Sequence, residues 1–398
     1  MFDPAWWQRD DLRYIEGRLH MARQDLLQLA QRCATPLFVY NSARVRDNLQ
    51  RLRSALELHQ LDYRIFYALK ANRFAPLIGA MSHWGLCGID ACSPGELLLA
   101  RQHGFAENEI SYTGTSVANS DLDLLARHPG VHVNCDSLST IRRLGERDPG
   151  RSIGIRINPR VGAGYHAGLH YSGKKASKFG IYRDRFREAL DLAGSFGMKV
   201  TQLHFHFGSG YLTPQLPQLE EALEHAGWFL DQCPDIDTLD IGGGMGVPVT
   251  ADRAPLDLVA WAALIARFAT ARGVAIHLEP GDYLVKDAGA LVAQVNSVEE
   301  KGGTTFVGVN AGFSLQNLAA YYQTPFVVAP LGLTGTNAVE TVTVAGHINE
   351  AIDLLAEDVS LPPLREGDYL AFLNAGGYGA SSSSNHCMRG AHSEYLVG

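Results

Sequence analysis

The sequence predicts an α/β protein: a TIM (β/α)8 barrel followed by an all-β domain. Three observations carry that prediction. Eight short apolar runs alternate with longer stretches of helical spacing. The residues able to do chemistry gather at the C-terminal ends of those runs, and after about residue 285 the texture changes to short β-type runs. Strands alternating with helices imply parallel βαβ units, and eight such units close into a barrel whose functional groups collect at the C-terminal strand ends. A chain of 398 residues is too long for one ordinary domain. A barrel of about 250 residues plus a second domain fits it.

From the N-terminus, residues 8–32 read as helical, with Leu12, Ile15, Leu19, Leu26, Leu27 and Leu29 set among charges. TPLFVYN (35–41) is a strand run, and a helical pattern covers 43–58. The eight barrel runs are RIFYALK, WGLCGIDA, EISYTG, VHVNCDS, SIGIRIN, KVTQLHFHF, TLDIGGG and AIHLEP. Lys70, Asp90, Arg156, His206, Gly242, Gly243, Gly244 and Glu279 sit at or just past their ends. Beyond residue 285, ALVAQVNSVEEKGGTTFVGVNAG, FVVAPLG, ETVTVAGHINE and DYLAFLNAGGYG are divided by Gly, Pro and Asn, as in an all-β domain. The divisions expected are 1–41, 42–284 and 285–398.

Composition narrows the function. Hydrophobic residues at 46% and charged residues at 19% describe a soluble globular protein with ample core. A net charge of −8 with no basic runs argues against nucleic-acid or anionic-membrane partners. No uninterrupted apolar stretch is long enough to span a membrane. The start, MFDPAWWQRDDLRYIEGRL, lacks the apolar core of a signal peptide. Six scattered cysteines show no CxxC pair, so a cytoplasmic location is expected, and no metal site.

Five motifs hold the chemistry: FYALKAN around Lys70, HFHFGSG (204–210), DIGGGMG (240–246), EPGDY (279–283) and AGGYGASSSSN (375–385). A lone lysine after a strand is ordinarily a solvated end. Followed by four turns that could cradle a phosphate or touch an aromatic ring, Lys70 is not ordinary. In this order the motifs resemble the alanine racemase-like pyridoxal 5'-phosphate (PLP) decarboxylases, the family of diaminopimelate, ornithine and arginine decarboxylases, from about residue 35 to the C-terminus. The resemblance implies that Lys70 binds the cofactor aldehyde, Glu279 pairs with its ring nitrogen and His206 stacks on its ring. It implies that Ser209, Gly210, Gly242, Gly243, Gly244 and Tyr378 serve the phosphate, and that Asp90 and Arg156 line the cofactor. It also implies that strand 35–41 joins the β domain, that SKFGI (177–181) is structural, and that the protein is a homodimer with shared active sites.

Three departures from the family pattern bear on substrate. EPGR becomes Glu279-Pro280-Gly281-Asp282, exchanging a carboxylate-reading arginine for an acid. Against DAGMNDLIRPALY stands NAGFSLQNLAAYY, which puts Leu318 at a second such arginine and keeps Tyr322. Against GPICESGD stands Gly346–Asp353, with Asn349 at the proton-donating cysteine and Glu350 retained, in the family a contact to the distal ammonium. Cys387 in SSSSNHCMRG is the expected replacement acid, flanked by His386 and Arg389, with His347 and His386 as competitors. The expected activity is α-decarboxylation of an amino acid, free or carrier-tethered, whose far end is cationic or neutral and contacted by Asp282, Tyr322, Glu350 and Arg389. Diaminopimelate is expected to be a poor substrate. Racemisation or epimerisation on the same scaffold is the alternative.

Overall fold

The computed structural model describes residues 6–165, 173, 175–333 and 338–398. It divides the chain into two compact units, one of Leu49–Gly246 with Pro255–Gly281, the other of Met1–Asn48, Val247–Ala254 and Asp282–Gly398.

The N-terminal segment differs from its helical reading. It forms a meander of β1 (Leu12–Ile15), β2 (Arg18–Met21) and β3 (Gln24–Asp25), with a helix only at Leu26–Arg32. The turns between strands place Glu16 at φ 50°, Gly17 at 75°, Ala22 at 49° and Arg23 at 69°, the left-handed conformations that reverse a hairpin. Burial alternates, with Leu12, Leu19 and Met21 inside and Arg13 and Arg18 outside. Asp25 caps the helix by accepting from the Gln28 N–H. The meander packs through Trp7, Leu12, Leu19 and Met21 onto Val39, Val292, Leu331 and Ala371 of the β unit.

The eight apolar runs become β5 (Tyr63–Ala68), β6 (Gly88–Ala91), β7 (Ile110–Tyr112), β8 (His132–Cys135), β9 (Ser152–Arg156), β10 (Lys199–His204), β11 (Thr238–Asp240) and β12 (Ala275–Leu278); β4 (Leu37–Asn41) precedes them. All eight pair in parallel in chain order, and β12 closes on β5 through Ile276 opposite Tyr63. Short strands covered on both faces read as continuous apolar runs, which is why the barrel is visible in the sequence. Polar side chains reach across β7, β8 and β10. Asn134 donates to Ser111 at 3.3 Å and Thr113 at 2.9 Å, and Gln202 donates to Asn134 at 2.9 Å. A Cβ on Gly154 of β9 would collide with the Asn134 amide, so its bare backbone leaves room for that bridge.

The β unit is built on β13 (Gly289–Lys301), followed by β14 (Thr304–Val309), β15 (Val327–Pro330), β16 (Glu340–Ala345), β17 (Leu354–Leu361), β18 (Tyr369–Leu373) and β19 (Ser393–Val397). The sheet runs β15-β18-β13-β14-β16-β17, and β4 joins antiparallel to β13 and parallel to β19. The N-terminal strand therefore belongs to the β domain, as expected. No described helix is long and apolar enough to cross a membrane.

Candidate active site

Parallel register lines the chemistry up at one end of the barrel. Ala68 pairs with Asp90, and the chain turns after β5 into a short 3-10 segment that presents Lys70. The Tyr67 hydroxyl donates to the Asn72 carbonyl at 2.8 Å, and Asn72 accepts from the Phe74 N–H, so the turn is braced from below. Lys70 Nζ lies 3.6 Å from Asp90 Oδ2; the lysine side chain is 43% exposed rather than desolvated, and the aspartate is buried. Burial, reinforced by the charge of Glu279 and opposed by Lys70, pushes the Asp90 carboxyl well above its ordinary range.

On β10, β11 and just past β12, His204, Asp240 and Glu279 bring one donor or acceptor atom each within 4.8 Å of one another. His204 Nε2 is 3.0 Å from Glu279 Oε2. Burial alone would raise Glu279, but His204 and then Lys70 outweigh it and bring the carboxyl down to about 2. Burial lowers His204, opposed by the charge and hydrogen bond of Glu279. Asp240 is pushed well up, by burial first and the Glu279 charge second, and it accepts the Gly242 N–H at 2.8 Å. Glu279 Oε1 is buried with no hydrogen-bond partner. An ionised, buried carboxylate with an orphaned oxygen fits a protonated ring nitrogen.

The glycine turn beside it is packed closely against its neighbours. A Cβ on Gly243 would collide with the Glu279 carbonyl, and Gly244 sits at φ 92°. The Gly243 N–H donates to His206 Nδ1 at 3.3 Å, leaving the ring's proton on Nε2. Burial and then Lys70 hold His206 well below its usual value, so the imidazole is neutral, as a stacking ring should be. Ser209 is anchored by its N–H to the Ala163 carbonyl at 3.2 Å. At the end of β9, the Arg156 guanidinium lies 4.5 Å from the Phe179 ring centroid, and Asn158 donates to Ser177 Oγ at 3.1 Å and to the Phe179 carbonyl at 2.8 Å. SKFGI thus works as a latch on β9. The barrel residues present fit PLP.

The remaining expected site residues lie in the β unit, where His347, Glu350, His386 and Arg389 form a cluster of their own. Glu350 meets His386 at 3.1 Å, and Arg389 meets His347 at 3.3 Å, so 386–389 runs alongside 347–350. Burial and then Arg389 lower His347. Cys387 and Met388 are exposed, with φ of 52° and 57°. Tyr322 ends the helix Leu318–Tyr322, and Tyr378 sits at φ 53° in the loop after β18. Asn349 is exposed.

Four residues escaped sequence reading. His204 and Asp240 open two of the recognised motifs without having been singled out, and the alternation His204-x-His206 was the available signal. Asp353 accepts the N–H groups of Phe313 and Ile348, each at 2.6 Å, binding two candidate substrate loops together. Lys286 lies fully buried, 3.1 Å from Asp282 Oδ2. That pair corrects the reading of Asp282: its charge is met within the fold by a cation four residues on. Leu318, likewise, is 3% exposed and part of the core.

Comparison with known proteins agrees with this geometry. The family described as pyridoxal-dependent decarboxylase, pyridoxal binding domain, matches residues 42–286. Diaminopimelate decarboxylase of Methanothermobacter thermautotrophicus is 35% identical, over 96% of this chain and 91% of the relative. That of Aquifex aeolicus is 31% identical, over 97% and 92%. The crystal structure of diaminopimelate decarboxylase from M. jannaschi superposes with a TM-score of 0.89 at 25% identity, covering 98% of this chain and 93% of that one. These relatives overturn the expectation of a cationic or neutral far end that excludes diaminopimelate. The expectation rested on the absence of arginine at positions 282 and 318. They also set the chain among decarboxylases rather than racemases. The chain belongs to the pyridoxal-dependent decarboxylases, and it is a carboxy-lyase that works with pyridoxal phosphate.

Proposed function

We propose that the protein decarboxylates diaminopimelate, replacing one α-carboxylate by a proton to release carbon dioxide and leave lysine. The observation that carries this reading is the pair of opposite charges on adjacent exposed loops, Glu350 and Arg389. The far end of diaminopimelate is itself an amino acid. Its ammonium suits Glu350, and its carboxylate suits Arg389 with Tyr322. With Asp282 neutralised by Lys286, no unpaired acid opposes that carboxylate. Relatives bearing the same activity in their names support the choice.

PLP supplies an electron sink that weakens the bond to the leaving carboxylate. The residues proposed to hold it are Lys70 at the aldehyde, Glu279 at the ring nitrogen, His206 on the ring face, and Ser209, Gly242–Gly244 and Tyr378 at the phosphate, with Asp90 and Arg156 alongside. The Asp90 carboxyl keeps Lys70 oriented. Cys387 Sγ delivers the proton to the substrate α-carbon from an exposed segment whose consecutive left-handed residues mark strain kept for function. Cys387→Ala is expected to slow turnover by roughly 10²–10⁴-fold, the reach of a general acid, with cofactor absorbance unchanged. A near-native rate would move the role to His347.

The working unit is proposed as a homodimer in which the 347–353 and 386–389 segments of one chain complete the barrel site of the other. A reducing cytoplasm suits the six free cysteines. The activity test is mass spectrometry of holoenzyme with diaminopimelate in deuterium oxide. Lysine carrying one deuterium at the reacting carbon is the expected product. Exchange without loss of carbon dioxide, or turnover of another amino acid in preference, would refute the assignment.

A further inference from the structure

Among the described residues, Lys286 is the one lysine in the set of largest fully buried side chains. It lies on the turn Lys286–Ala288 that follows the short helix Asp282–Val285, and its Nζ meets Asp282 Oδ2 at 3.1 Å, the two side chains 0% and 7% exposed. Burying both charges is costly, and a buried pair is commonly no more stabilising than apolar residues of the same size. What the pair touches is more telling than what it could contribute to stability.

The loop after β18 rests directly on this helix and turn. The Ala375 N–H donates to the Gly289 carbonyl at 2.9 Å, and the Gly376 N–H donates to the Lys286 carbonyl at 3.1 Å. A Cβ at Gly376 would collide with the Val285 carbonyl, and one at Gly377 would stand 2.9 Å from Asp282 Oδ1. The Asp282 carboxylate therefore abuts the backbone one residue before Tyr378. Tyr378 itself is held at φ 53°, a conformation that a residue with a side chain keeps only when its surroundings impose it. On its far side, the Ser382 hydroxyl donates to the Tyr378 carbonyl, and Gly379 packs against Phe38 and Gln316.

We propose that the Asp282–Lys286 pair is a positioning device for the 374–379 loop, fixing Tyr378 where it can hold the cofactor phosphate. Lys286 pins the Asp282 carboxylate, the carboxylate sets the height of Gly377, and Gly377 sets the direction in which Tyr378 leaves the loop. The proposal rests on the assignment of Tyr378 to the phosphate. It gives the acid after Glu279-Pro280-Gly281 a role in cofactor retention rather than in substrate choice.

The test is a double-mutant cycle on the dissociation constant of PLP, read from the fluorescence of the apoprotein on titration. Tyr378→Phe alone should weaken binding. Asp282→Asn should weaken it by at least about fivefold in the native background and hardly further in Tyr378→Phe, because residues acting as one unit are not additive. Asp282→Asn with Lys286→Gln, a neutral pair able to keep one hydrogen bond, should recover much of the affinity and guards against misfolding of the single variant. The ³¹P resonance of bound PLP should move in Asp282→Asn and return in the double variant. If Tyr378→Phe leaves PLP binding unchanged, the tyrosine assignment falls and the proposal with it. If Tyr378→Phe weakens binding but Asp282→Asn weakens it equally in both backgrounds, the tyrosine assignment stands and the positioning role alone is refuted.

Discussion

At the residue scale, the acid beside Glu279 makes the most consequential choice of charge. Asp240 and Glu279 are both buried, with His204 at Glu279 and Asp90 also close, and two carboxylates in such a place do not both ionise. Glu279 goes down and Asp240 goes up, so the proton stays on Asp240 and the negative charge stays where a ring nitrogen can use it. A raised acid binds its proton more tightly folded than unfolded. Its contribution to stability is therefore complete below the unfolded value of about 3.9 and is lost as pH rises through the folded value. Asp240→Asn keeps the shape and the acceptor for the Gly242 N–H while removing that titration. Thermal unfolding of the apoprotein should show the variant gaining on the parent as pH rises from about 4. A difference in Tm that stays constant across that range would mean Asp240 holds no proton. Lys70, His206 and Glu279 were legible as motif residues, because each stands at the end of an apolar run. Asp240 and His204 were not, because what distinguishes them is a neighbour on the adjacent strand.

Elements explain the two places where sequence and structure part. The apolar spacing at 12, 15, 19, 26 and 29 suits a helix, but 12, 19 and 21 are also the inward positions of a hairpin. The turns that decide the matter lie at Glu16-Gly17 and Ala22-Arg23, the second without a glycine to announce it. Asp282 was misjudged because its partner sits four residues on, a relation that exists only once Asp282–Val285 is helical and buried. Asp353 shows the same limit on a larger scale. It is 3% exposed and joins the backbone at Phe313 to that at Ile348, forty and five residues away in sequence. Asp353→Ala would leave two buried N–H groups without an acceptor, at a cost on the order of 3 kcal/mol or more. Hydrogen exchange should speed up in 311–316 and 346–353 while the barrel strands keep their protection. Unchanged exchange in those loops, in a folded variant, would show that Asp353 does not tie them.

For the molecule as a whole, the division of labour between the two units bears on assembly. The barrel unit holds Lys70, His206, Glu279 and the glycine turn, the residues proposed for the cofactor. The β unit holds Cys387, His347, Glu350 and Arg389 on exposed loops, with Met388 86% exposed beside them. A large apolar side chain left that open, on a strained segment between the hydrogen-bonding residues His386 and Arg389, is suited to cover by another chain. If each active site draws its barrel part and its loop part from different chains, Lys70→Ala and Glu350→Ala each disable both sites of their own homodimer. Mixed after subunit exchange, they form heterodimers in which one site carries both defects and the other carries neither. Random pairing makes half of the dimers mixed, each with one intact site, so recovery should approach about a quarter of native activity. Exchange is verified independently by mass, so failure to recover activity with heterodimers present would show that each chain completes its own site.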